Sequence, residues 1–162
     1  MIKLAGIILV SGAISLASCH KASLIKNNIR IRKELYEFVL HIKGCIETSS
    51  TELSEIYRTY TSETLQKTGF LQILSEADGN SFEYALKNSS IFLPGALFSI
   101  YLNLAGILGK SRSGKTEAEN LSRYLAEIEK EEEKLIKSDE SKIVLYRKLG
   151  ILAGILAALI FI

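Results

Sequence analysis

All eighteen acidic residues of this 162-residue chain fall between Glu34 and Glu140, whereas residues 4–19 and 149–162 carry no charged side chain at all. An evenly mixed soluble core does not sort its charges in this way. The ends therefore belong to a different environment from the middle, and that sorting limits the architectures open to the chain more than any motif does. The two runs have 16 and 14 residues, short of the ~20 that cross a ~30 Å hydrocarbon layer comfortably. Each reads as a short membrane helix. The second lengthens through Ile143, Val144, Leu145 and Tyr146 if Arg147 and Lys148 reach out to headgroups. The alternative for either run is a buried core helix.

Basic residues cluster on the inward side of both runs. Lys21, Lys26, Arg30, Arg32 and Lys33 follow the first, against Lys3 before it, and Lys134, Lys137, Lys142, Arg147 and Lys148 precede the second, with none after. By the positive-inside rule residues 20–148 lie in the cytoplasm. Gly150 and Gly154 form a GxxxG, and Gly6 and Gly12 with Ser11, Ala13 and Ala17 give the first run small residues of its own, so the two helices can approach closely as a hairpin. A competing reading takes Leu16-Ala17-Ser18-Cys19 as a lipoprotein signal with Cys19 lipidated, which would place the chain outside the cell. A minimal leading segment and the basic residues after Cys19 oppose it.

Composition narrows the function classes. Twenty Lys and Arg against eighteen acids leave a net charge of +2, too small a surplus for a nucleic-acid binder. Two cysteines cannot make a disulfide framework. With one proline and no tryptophan, the middle reads as helical throughout. Ile31, Leu35, Phe38, Ile42 and Cys45, backed by Val39 and Ile46, form one apolar stripe. Ser49 and Glu52 have the spacing of a capping box that opens a second helix through Leu53, Ile56, Tyr57 and Tyr60. A third helix is expected over residues 63–74, and a short one carrying Phe82, Tyr84, Ala85 and Leu86 after the turn at Asp78-Gly79-Asn80. Residues 91–108 are uncharged and read as a central core helix with Pro94 in its first turn. A long helix then places Ala118, Leu121, Leu125 and Ile128 at heptad spacing and continues, without Pro or Gly before Gly150, toward the last segment. The expected architecture is all-α: a membrane helix over residues 1–21, a cytoplasmic helical bundle over 22–142 and a second membrane helix over 143–162.

Catalytic and metal chemistry find little support in the sequence. Gly109, Gly114, Lys115 and Thr116 satisfy the P-loop pattern GxxxxGK[ST], but a P-loop turns from a buried strand into a helix. Here a helix-length apolar run precedes it and no strand-forming chain follows. The match is read as coincidental, and a membrane-anchored NTPase is kept as the alternative function. His41 and Cys45 share a helical face, yet no further His or Cys lies nearby to complete a metal site. No cofactor, metal or catalytic residue is expected. The run Glu127, Glu129, Glu131, Glu132 and Glu133 is either a solvated face or a docking surface for a partner.

With that order of elements in hand, the chain resembles the stage III sporulation protein AB family over nearly its full length. Tyr146-Arg147-Lys148-Leu149-Gly150 is similar to the family's basic-Leu-Gly entry into the last segment. Leu108-Gly109-Lys110-Ser111 resembles its Leu-Gly-x-Ser-Asp turn, with Arg112 where the family has Asp. Thr51, Leu53 and Glu55 resemble a Thr-Pro-Leu-x-Glu segment with Glu52 in place of Pro, and Gly79 and Tyr84 stand where the family often has Gly and Trp. The resemblance implies a non-enzymatic component of the channel between mother cell and forespore, similar to the inner-membrane platform proteins of type II secretion and pilus systems. Its implied partners are the membrane, an assembly ATPase and the other channel subunits, with self-association open, and its implied place is the mother-cell side of the outer forespore membrane.

Overall fold

The structure is a computed structural model that describes residues 2–49, 52–76, 81–108 and 114–161. Among these residues every regular element is a helix. In chain order they are α1 (Ile2–Ser49), α2 (Leu53–Thr59), α3 (Glu63–Lys67), α4 (Phe70–Glu76), α5 (Ser81–Asn88), α6 (Gly95–Ile107) and α7 (Gly114–Phe161). The all-α expectation holds. The flanking membrane helices do not stand as separate elements: α1 and α7 each run unbroken for 48 residues, fusing the charge-free ends to charged helix. Among the described residues no helix is long and apolar enough to cross a membrane. The uncharged runs of 16 and 14 residues rise about 24 and 21 Å as helix, short of a ~30 Å hydrocarbon layer.

The chain divides into two compact units, Met1–Ile29 with Lys134–Ile162, and Arg30–Glu133. This division falls inside the sequence boundaries at 21/22 and 142/143, which mark where charge begins rather than where packing changes.

In the Arg30–Glu133 unit the core is aromatic at its centre. Phe38 of α1 is fully buried and its ring meets Tyr57, Tyr60, Phe70 and Phe82 at centroid distances of 4.6 to 6.2 Å. Phe70 and Phe82 stand edge to face at 5.6 Å, the favoured geometry for aromatic quadrupoles. Ile31, Leu35, Val39 and Ile42 complete the buried stripe of α1, while Leu121, Leu125 and Ile128 supply that of α7. The 3.6-residue period of both sequences is thus spent on burial. Leu97, Tyr101 and Leu104 turn one face of α6 into the same core.

Three local expectations need correction. Residues 63–74 are two helices, because the chain turns at Thr68 and Gly69. Gly69 has φ +76°, Thr68 Oγ1 donates to the Leu65 carbonyl at 2.7 Å, and Ser90 donates through both N and Oγ to the Thr68 carbonyl. The capping box does not form: Ser49 ends α1 and Glu52, at the N-cap of α2, makes no side-chain cap bond. The cap that does form is Ser62 on α3, whose hydroxyl accepts from Leu65 N and donates to Glu34 Oε2 at 2.9 Å. Finally, α6 begins after Pro94, which is its N-cap, because the residue preceding a proline is driven out of helical conformation. The turn predicted at Asp78-Gly79-Asn80 lies outside the described residues.

Gly69 gives a clean test of the corner. A Cβ there would meet nothing within 4 Å, so Gly69→Ala carries only the backbone cost of a left-handed conformation, about 1–2 kcal/mol. Denaturant unfolding should show a lower midpoint with unchanged slope, and Gly69→Asn should recover part of the loss.

In the unit formed by Met1–Ile29 and Lys134–Ile162, α1 and α7 run antiparallel. Ser15 and Ser18 lie beside Gly150, and Lys21 sits over the Tyr146 ring at 5.7 Å. Ala22 and Ile143 are buried between them, as are Gly150 and Gly154.

Candidate functional site

The most unusual chemistry in the helical unit is a buried polar cluster. Arg32 is 2% exposed and Glu132 is 14% exposed. Arg32 Nε reaches the two carboxylate oxygens of Glu132 at 2.8 and 3.1 Å, a charge-assisted pair in a medium that weakens neither charge. Both residues occupy core positions of their stripes: Arg32 precedes Leu35, Val39 and Ile42 at steps of 3, 4 and 3, and Glu132 follows Leu121, Leu125 and Ile128 at steps of 4, 3 and 4. Helical periodicity alone turns them inward, toward one another.

Tyr101 of α6 joins the cluster. It is fully buried and its hydroxyl has no hydrogen-bond partner. Burial pushes its phenol up, the Glu132 carboxylate and Tyr36 push in the same direction, and Arg32 opposes them. Tyr36 is likewise raised, by burial and then by Glu129. In the fold Tyr101 therefore stays neutral where the unfolded chain ionises near pH ~10. Its contribution to stability is present below that pH and is lost as pH rises beyond it. An unpaired buried hydroxyl also costs on the order of 1–3 kcal/mol. Tyr101→Phe is thus expected to raise stability by about 1 kcal/mol at pH 7 and to flatten its alkaline fall. Urea midpoints between pH 8 and 11 measure both.

The acidic run of α7 does not present five equivalent carboxylates. Glu127, Glu129 and Glu133 are exposed, Glu131 is half-buried, and Glu132 is turned to Arg32. In the sequence Glu132 stands among like-charged neighbours, and extending the heptad of Ala118, Leu121, Leu125 and Ile128 by four residues separates it.

The other singled-out residues are dispersed. Gly109 and Ser111 lie outside the described residues, Lys115 and Thr116 are exposed at the start of α7, and the element before them is helix α6 rather than a strand. Leu108 caps α6. Thr51 and Gly79 lie outside the described residues; Leu53 opens α2 half-buried, Glu55 is exposed, and Tyr84 is exposed on α5. Tyr146 is half-buried under Lys21 and Leu149 is exposed. Gly150 meets Ser15 and Ser18, Gly154 is buried, Gly12 has nothing within 4 Å, and Gly6 is outside the described side chains. Cys19 is an exposed free thiol. Cys45 Sγ lies 3.5 Å from His41 Nε2, but among the described residues no group of three or more His, Cys, Asp or Glu side chains converges as metal ligands.

Among the described residues two 48-residue helices precede and follow five short ones in chain order, and a chain of this pattern can be compared with known families as a whole. The profile of the family described as stage III sporulation protein AB matches residues 3–162. The chain belongs to the stage III sporulation protein AB family. No curated protein and no solved structure matches it. Family membership makes it a sporulation protein, and the match spans both units, the charge-free ends as well as the helical body. The buried Arg32–Glu132 pair lies within the matched span, at the first turn of α1 and the last of α7 inside the Arg30–Glu133 unit.

Proposed function

We propose that this chain is a non-enzymatic assembly platform of the mother cell to forespore channel, held at the membrane by its two charge-free ends. The observation that carries the reading is the uncovered apolar surface of α7: Leu149, Ile151, Leu152, Ile155, Leu156 and Leu159 are all exposed, Leu159 at 65%. At 3.6 residues per turn they spread over a broad arc of about 160°, on the side of the helix away from the buried Gly150 and Gly154, a wide apolar face of the kind that hydrocarbon covers. The short length is met by basic side chains at the border and by local thinning of the bilayer. On this reading the helical unit faces the mother-cell cytoplasm at the outer forespore membrane.

The helical unit engages an assembly ATPase and other channel subunits. Arg30–Glu133 holds sixteen acids against twelve Lys and Arg, and Glu127, Glu129 and Glu133 are solvent-facing on α7, which suits a basic partner surface. The ATPase supplies hydrolysis, and the helical unit transmits docking or rotation to subunits in the membrane. Sporulation efficiency in cells carrying Glu127→Lys, Glu129→Lys and Glu133→Lys together tests this, with membrane fractionation as the control for anchoring. The triple variant is expected to remain in the membrane fraction and to lose sporulation, while Lys115→Ala sporulates normally. Full sporulation by the triple variant would overturn the docking role, and loss with Lys115→Ala alone would favour nucleotide chemistry.

A further inference from the structure

The basic residues at the borders of the two charge-free runs are placed by the antiparallel register, not merely by sequence. Ser15 and Ser18 lie beside Gly150 and Lys21 lies over Tyr146, so each step along α1 is answered by a step back along α7. That register brings Lys21 level with Arg147 and Lys148, and Lys26 level with Lys142 about five residues, or ~7 Å, further along. The upper tier meets the edge of both apolar runs at once: residues 4–19 begin just beyond Lys21 and residues 149–162 just beyond Lys148. Lys21, Arg147 and Lys148 are all exposed. Tyr146 holds Lys21 by a cation–π contact at the same level, an amphipathic ring at an apolar–polar border.

Acids are nearly missing from this unit. Met1–Ile29 with Lys134–Ile162 contains eight Lys and Arg against Asp139 and Glu140 alone, a net +6, whereas Arg30–Glu133 carries −4, together the chain's +2. Asp139 is already engaged, because Lys142 Nζ lies 3.3 Å from its Oδ1, and Glu140 stands about two helical turns, ~10 Å, from Arg147, which leaves the upper tier without an internal counter-charge among the described ion pairs. Three cations at one depth, at the border of an apolar surface, match the phosphates of a lipid headgroup layer in charge and in depth.

Resting on the membrane anchoring proposed above, we propose that Lys21, Arg147 and Lys148 form a headgroup site that selects anionic phospholipids over zwitterionic ones. The lipids nearest the hairpin are then enriched in negative charge, and the headgroup layer fixes the depth of both helices. Lys26 and Lys142 form a second tier within reach of headgroups that tilt upward.

The chain contains no tryptophan, so a single one introduced by Ile151→Trp reports its lipid neighbours. The full chain is reconstituted in phosphatidylcholine vesicles with brominated phosphatidylglycerol or brominated phosphatidylcholine as quencher. The association of phosphatidylglycerol is expected to exceed that of phosphatidylcholine by roughly threefold or more at low salt, and to fall toward parity in Lys21→Gln/Arg147→Gln/Lys148→Gln. A control triple on the helical unit, Lys43→Gln/Lys67→Gln/Lys87→Gln, removes the same charge and is expected to leave the ratio unchanged. Equal quenching by both lipids in the parent chain overturns headgroup selection while leaving the anchoring intact. No quenching by either lipid overturns the anchoring itself. Loss of selectivity in both triple variants alike would mean net charge acts, not this site.

Discussion

Arg32→Met is expected to destabilise the helical unit by about 3–5 kcal/mol, the largest single effect on the body of this protein. The substitution leaves the Glu132 carboxylate buried with its main partner gone, and an uncompensated buried charge costs more than the pair contributed. Glu132→Leu is expected to lose a similar amount by removing the carboxylate that faces the guanidinium, which is 2% exposed. Arg32→Met/Glu132→Leu removes both charges and is expected to lose much less than the sum of the singles, with a coupling of about 2–3 kcal/mol. Urea unfolding of the four proteins closes the cycle. Additive losses would mean that the two side chains are held by their other neighbours rather than by each other. The pH dependence sharpens the test: with Glu132 absent one of the influences raising the Tyr101 phenol is gone, so the alkaline fall in stability should be smaller in Glu132→Leu than in wild type once the difference at neutral pH is subtracted.

Sequence periodicity carried most of the body of this fold and little of its corners. The stripes of α1 and α7 were legible because Leu35, Val39 and Ile42, and likewise Leu121, Leu125 and Ile128, repeat with the helical period and are buried accordingly. The same rule reaches Arg32 and Glu132, which stand one step beyond each apolar stripe; a charge ends an apolar pattern although it need not end a buried face. The corner at Gly69 was not legible, since a single glycine inside residues 63–74 is compatible with helix until Ser90, twenty-two residues on, takes the Thr68 carbonyl. Tertiary contact decided that turn. The capping box failed for a related reason: α1 continued through Ser49, leaving that residue unable to act as a cap. At the ends, uncharged composition indicated helix but did not determine where one element stopped, and the unbroken α1 and α7 follow from the lack of any Pro in residues 20–31 or 115–149.

Gly150 is the position where one added methyl group should matter most. A Cβ built there comes within 2.6 Å of Ser18 Cβ and 2.9 Å of its Oγ. The hydroxyl can rotate away, but the Cβ of Ser18 is fixed by the α1 backbone, so relief requires the two helices to part. Two effects compete in Gly150→Ala: alanine favours helix by up to ~1 kcal/mol, and overpacking at a close crossing costs about 1–3 kcal/mol. The rigid contact decides the sign, because moving one helix also lengthens the Ser15 Oγ to Gly150 carbonyl bond, already 3.4 Å, and opens the burial of Ala22 and Ile143. Gly150→Ala is therefore expected to lower the thermal midpoint of the full chain in mild detergent, and Gly150→Leu to lower it further. Ser18→Gly vacates the space a Cβ at 150 needs, so Ser18→Gly/Gly150→Ala is expected to recover most of the loss, although Ser18→Gly alone weakens α1 by its own helix propensity. If Gly150→Ala instead raises the midpoint, helix propensity outweighs the crossing, and the small-residue seam is incidental to how the two helices meet.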